Sequence, residues 1–122
     1  MKLNYIELLG EKHPLCFSQY AAEQFCELFG DIEGMQRALT DQDVLHQLRA
    51  VKNVLSVLLD AGRRYCALAG LDMPEKSLVG HVEDVIDVSN PEVVRNIFET
   101  ITGDSERTLE AEAKNADPTQ DD

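Results

Sequence analysis

DQDVLHQLRAVKNVLSVLLDAGRRYCALAG, residues 41–70, runs without a proline and holds glycine only at positions 62 and 70. Val44, Leu48, Val51, Leu55, Leu58, Gly62, Tyr65 and Ala69 recur at steps of three and four. That is the spacing of one face of an α-helix. Thr40 or Asp41 is placed to cap its start, and Gly70 to end it. Arg49, Asn53, Ser56, Asp60 and Arg63 fall on the opposite side. A second apolar flank, Val54, Val57, Ala61 and Leu68, lies about a quarter to a third of a turn from the main stripe. In the simpler account the helix is central and packs on two sides. In the other account this flank is a groove for a partner, and these four residues are the candidate partner-binding set.

Upstream, LNYIELL and PLCF are two short apolar runs separated by GEKH, which reads as a small β-hairpin. Pro14 limits the second run to an edge or an extended arm. Ser18 can cap a helix over QYAAEQFCELF that stops at Gly30. Ala21, Ala22, Phe25, Cys26, Leu28 and Phe29 form its apolar face. Asp31 opens a shorter helix weakened by Gly34, with Ile32, Met35 and Leu39 inward.

Downstream, LDMPEKS is a connector, and Ser77 or Pro74 starts a helix through LVGHVEDVIDV, where Val79, Val82, Val85 and Ile86 keep helical spacing. Asn90 as cap, Pro91 at the first helical position, Glu92 in the first turn and Gly103 beyond the last apolar residue delimit a final helix. Val94, Ile97, Phe98 and Ile101 face inward in that helix. The remaining DSERTLEAEAKNADPTQDD has one leucine and no aromatic residue, too little apolar surface to offset the entropy of ordering it. Its seven acidic and two basic residues carry five of the net negative charges. These readings give a mainly α domain of four to five helices with a short N-terminal β-hairpin over residues 1–103, then a disordered acidic tail over 104–122.

A chain of 122 residues suffices for one such core. Its net charge of −12 opposes binding to nucleic acid or to an anionic membrane, which depends on clustered lysine and arginine. No apolar run approaches the length of a membrane span, and the start MKLNYIELLG has no signal-peptide pattern. The odd number of dispersed cysteines, Cys16, Cys26 and Cys66, does not form a disulfide framework. A cytosolic protein is expected.

His13, Cys16 and Cys26 form the one local cluster that could pass for a metal site or a nucleophile. A structural zinc site favours close ligand pairs, whereas Cys16 and Cys26 are separated by nine residues, and Cys66 and His81 supply no second pair. Cys16 lies near a helix start, which lowers a thiol pKa, but a nucleophile also needs a positioned base. Packing is the expected role, with His13 and Cys16 at the hairpin-to-helix junction and Cys26 beside Phe25 and Phe29. In HVEDVID, Glu83 and Asp87 share a helix face while His81 lies well round from it, as on a solvated acidic surface. Asp84 belongs to the same surface. No phosphate-binding glycine loop, G-x-S-x-G motif or calcium loop occurs. No catalytic residue, metal ligand or cofactor is expected.

The order of three segments, HPLCFSQYAAEQFCELFG, then LRAVKNVLSVLLDAGRRYCALAGLD, then VEDVIDV followed by NPEVVRNIFETITG, resembles a tail assembly chaperone of a long-tailed, siphovirus-like bacteriophage or prophage. The resemblance covers residues 3 to 102 and is one of pattern, with no catalytic motif. It implies a non-enzymatic protein that binds the tape measure protein and keeps it soluble in the bacterial cytoplasm during tail assembly, absent from the mature virion. It also implies a longer frameshifted form that engages the tail tube protein, and self-association is a further expectation. The alternative is a small structural or adaptor protein retained in the tail.

Overall fold

The computed structural model describes residues 3–103. Two strands open the chain, β1 (Asn4–Leu8) and β2 (Glu11–Leu15), paired antiparallel with Ile6 opposite His13 and Asn4 opposite Leu15. The two-residue turn between them has Leu9 at φ 53° and Gly10 at φ 80°. Positive φ at both positions gives the twist a tight hairpin needs. Ile6, Leu8, His13 and Leu15 are buried on the face turned to the helices.

The first three helices and the last begin where a side-chain oxygen satisfies an otherwise unpaired N–H. Helix α1 (Gln19–Phe29) begins where the Ser18 hydroxyl accepts from the Ala21 N–H, and it ends at Gly30, φ 91°. In α2 (Ile32–Leu39) the Asp31 carboxylate accepts from the Gly34 N–H at 2.6 Å. Helix α3 (Val44–Ala69) is capped by Asp43, which accepts from the His46 N–H. Neither Thr40 nor Asp41 is the cap: Asp41 instead accepts from the Asp43 N–H at 2.8 Å and so orders the residue that caps. Gly70 closes α3 in the left-handed conformation, and the Leu71 N–H reaches back to the Cys66 carbonyl.

After α3 the expected helix through residues 78–88 shrinks to a single turn, α4 (Val82–Val85). Gly80 sits at φ 86°, which interrupts any helix passing through it, and Ile86 is already extended. The fifth helix among the described residues, α5, occupies residues 92–103. Asn90 accepts from the Glu92 N–H at its start. The expected disordered tail over 104–122 lies outside the described residues.

One hydrophobic cluster runs from Ile6 to Ile101 and joins the hairpin to all five helices. Phe25, Met35, Leu39, Leu55, Leu58, Leu59 and Ile97 are fully enclosed. Truncating Phe25 to alanine would remove about 3–5 kcal/mol of stability. Strand β2 lies along α3, and the Cys16 N–H donates to the Leu58 carbonyl at 3.3 Å. The Asn4 amide donates to the Thr100 hydroxyl at 3.1 Å, tying the first strand to the last described helix.

Two packing expectations are corrected. Cys26 does not pack beside Phe25 and Phe29 but is exposed, as is Leu28. Successive helical residues are about 100° apart, so a helix that points Phe25 at the core turns Cys26 away from it. The stripe Val44, Leu48, Val51, Leu55, Leu58, Gly62, Tyr65 and Ala69 is covered only in its middle: Val44, Leu48 and Ala69 are exposed.

Candidate partner-binding groove

The 26 residues of α3 span about 39 Å, whereas the five residues of β2 span about 17 Å. The contacts of Pro14 and Leu15 in β2 with Gly62, and of Cys16 just after the strand with Leu58, place the hairpin over the C-terminal half of the helix. The first turns of α3 therefore project beyond it. Val44 is 65% exposed, and Leu45 and Leu48 are also exposed.

The chain from Glu83 to Val94 passes alongside these turns and leaves a groove of about 470 Å³ between the two walls. Leu45, Leu48 and Val51 line one wall, and Ile86, Val88, Val93 and Val94 the other. Val88 is 77% exposed. Each wall also carries charge of one sign, with Arg49 and Lys52 on α3 and Glu83 and Asp87 opposite. Lys52 and Glu83 meet across the groove at 3.4 Å. The Asp87 Oδ1 atom accepts from the N–H and hydroxyl of Ser89 at 3.0 and 2.6 Å. The Ser89 hydroxyl bond, with the backbone bond behind it, holds the Asp87 carboxyl below the usual range.

The four residues assigned to a partner surface from the sequence are not brought together on one. Val54 and Ala61 are buried in the core, and Val57 is partly buried against it. Leu68 is 90% exposed near the far end of α3. The second flank of α3 is thus mainly packing surface, and the helix is central.

His13 and Cys16 are likewise enclosed, His13 in the middle of β2 and Cys16 just after it. Burial is the main influence on His13 and pushes its pKa down. The nearby Glu11 carboxylate and a hydrogen bond to Leu8 oppose that shift, and Arg63 adds to it. Burial raises the Cys66 thiol, with Arg63 partly offsetting it. Among the described residues, no three histidine, cysteine or acidic side chains are placed to hold a metal ion. His81, Glu83, Asp84 and Asp87 are exposed. Tyr20, Asp60 and Arg64 do converge: the Tyr20 hydroxyl donates to Asp60 at 2.7 Å beneath the Arg64 guanidinium, 3.8 Å from the ring centroid. That bond raises the phenol pKa, which makes Tyr20 a staple between α1 and α3 and a poor proton donor.

The sequence pattern does not disclose the groove, because Leu45 and Val88 lie off the apolar stripes of the expected helices. The mismatch in length between a short hairpin and a 26-residue helix was the available signal. No family model, curated protein or solved structure matches this chain.

Proposed function

We propose that this protein is a non-enzymatic tail assembly chaperone of a long-tailed bacteriophage or prophage, binding apolar helical segments of the tape measure protein and keeping it soluble in the host cytoplasm. The observation that carries the reading is the groove beside the first turns of α3. Exposed Leu45, Leu48 and Val88 border a concave surface of the type that receives the apolar face of a helix. The order of hairpin and helices that underlies the resemblance supplies the identity of the client. The net charge of −12 would keep a complex with an apolar client in solution. The binding surface proposed is this groove and not Val54, Val57, Ala61 and Leu68.

The test is co-expression with the tape measure protein encoded downstream, followed by affinity purification and comparison of the client's solubility alone and together. A soluble client that co-purifies with the wild-type chain, and is lost with the L48D/V88D variant, supports the reading. A client that stays insoluble with the wild-type chain contradicts it. Mass spectrometry of purified particles addresses the alternative, since a structural or adaptor protein would be found in the tail and a chaperone would not.

A further inference from the structure

The two walls of the groove carry opposite charge, and one cation and one anion among them remain available to an occupant. Lys52 and Glu83 are engaged with one another. Arg49 is exposed and makes no ion pair among the described residues. Asp87 uses Oδ1 for Ser89, while Oδ2 makes no hydrogen bond among the described residues. An occupant seated on Leu48, Val51, Ile86 and Val88 therefore meets a guanidinium along one border and a carboxylate along the other.

We infer that the groove selects an amphipathic helix whose apolar stripe is bordered by acidic residues on one edge and by lysine or arginine on the other, with Arg49 and Asp87 reading the two edges. This deepens the chaperone reading by giving the chemistry of the client segment, and it rests on that reading only for the client's identity. Charge complementarity argues for such a helix: a uniformly acidic one would meet Asp87 unfavourably, and a uniformly basic one would meet Arg49 unfavourably. The two edges also set the direction in which the helix lies, because turning it end for end exchanges them.

The experiment uses the full chain and three synthetic helical peptides of about 14 residues sharing one leucine stripe. Their edges are glutamate and lysine, lysine on both, or glutamate on both, and binding is followed by fluorescence anisotropy. R49E makes both borders acidic. It should weaken the mixed peptide about fivefold and tighten the all-lysine peptide by a similar factor. R37E makes the same charge change on an exposed residue of α2 outside the groove, and should tighten the all-lysine peptide slightly while leaving the mixed peptide, whose edge charges cancel, almost unchanged. D87K should weaken the mixed peptide and tighten the all-glutamate one. Because Asp87 orders Ser89, R49E is the deciding variant and its fold is checked by circular dichroism. The differences should shrink at about 0.5 M salt.

The inference is overturned if no peptide binds, if R49E and R37E act alike, if L48D leaves binding unchanged, or if sedimentation shows the groove closed by a second copy that the mixed peptide does not displace. The two readings fail separately. Charge-dependent peptide binding with an insoluble tape measure protein removes the chaperone reading alone, and a soluble client with charge-blind peptides removes this inference alone.

Discussion

Gly62 of α3 and Pro14 of β2 approach so closely that a Cβ atom on the glycine would overlap the proline carbonyl oxygen. The same atom would lie 3.0 Å from the Leu15 nitrogen. The strand therefore rests directly on the helix backbone, and the Cys16 N–H can reach the Leu58 carbonyl one turn away. Both obstructing groups are backbone, so no side-chain rotation relieves the contact.

Gly62 to alanine reverses the usual sign of that exchange. In an exposed helix interior, alanine in place of glycine is favourable by about 1 kcal/mol. Here G62A should destabilise by about 1–3 kcal/mol, because the strand must shift off the helix to admit the methyl group. Urea denaturation of the two proteins measures the difference, and an unchanged or higher midpoint would show that the hairpin does not sit where described.

Stability should fall in mild acid through His13. Its pKa is lowered in the folded protein from an ordinary 6.5, chiefly by burial. The folded state therefore binds the proton less well than the unfolded chain. Its contribution is complete above about pH 6.5 and is lost as pH falls below that value toward the lower folded pKa. Glu11 and Arg63 are the charges acting on the imidazole. Denaturation midpoints of the wild type and H13Q between pH 7.5 and 5 should diverge less as pH falls. Parallel curves would mean that His13 titrates equally in both states.

The Tyr20–Asp60 bond predicts the opposite dependence at alkaline pH. Tyr20 has its pKa raised from 10.0, first by the hydrogen bond to Asp60. Its contribution is complete below pH 10 and is lost as pH rises through the folded value. Removing the hydroxyl in Y20F should cost about 0.5–1.5 kcal/mol at neutral pH and flatten the alkaline decline, both read from thermal melts. Equal stability of Y20F and wild type at neutral pH would show that the staple contributes nothing.

Thiol accessibility distinguishes the three cysteines. Cys26 is exposed, while Cys16 and Cys66 are buried. Under native conditions a maleimide should modify Cys26 rapidly, and the other two only after unfolding. Mass spectrometry of peptides from the labelled protein locates the adduct. Slow labelling of Cys26 would restore the packing role its sequence neighbours suggested.

The difference between what the sequence disclosed and what it concealed follows the range of the interactions. Capping is local chemistry, so Ser18, Asp31 and Asn90 could be read as helix starts, and Gly30 and Gly70 as stops. The start of α3 lies a few residues beyond the one its sequence suggests, because Asp41 and Asp43 are equally competent caps and only the turn between them decides. The helix expected over 78–88 failed at Gly80, whose left-handed backbone a hydrophobic period cannot reveal. Periodicity reports which residues are apolar but not what covers them. Val54 and Leu68 lie on one flank, yet one is in the core and the other is almost fully exposed. The groove depends on where the 83–94 segment passes α3, a long-range relation carried by no local signal.

Hydrogen exchange of the chain alone and mixed with its proposed client, the tape measure protein, tests most directly the proposal that this groove is the binding surface. New protection relative to the chain alone should concentrate in residues 45–52 and 83–94, with little change around Leu68. Protection centred on the C-terminal end of α3, or none in either wall of the groove, would contradict the assignment.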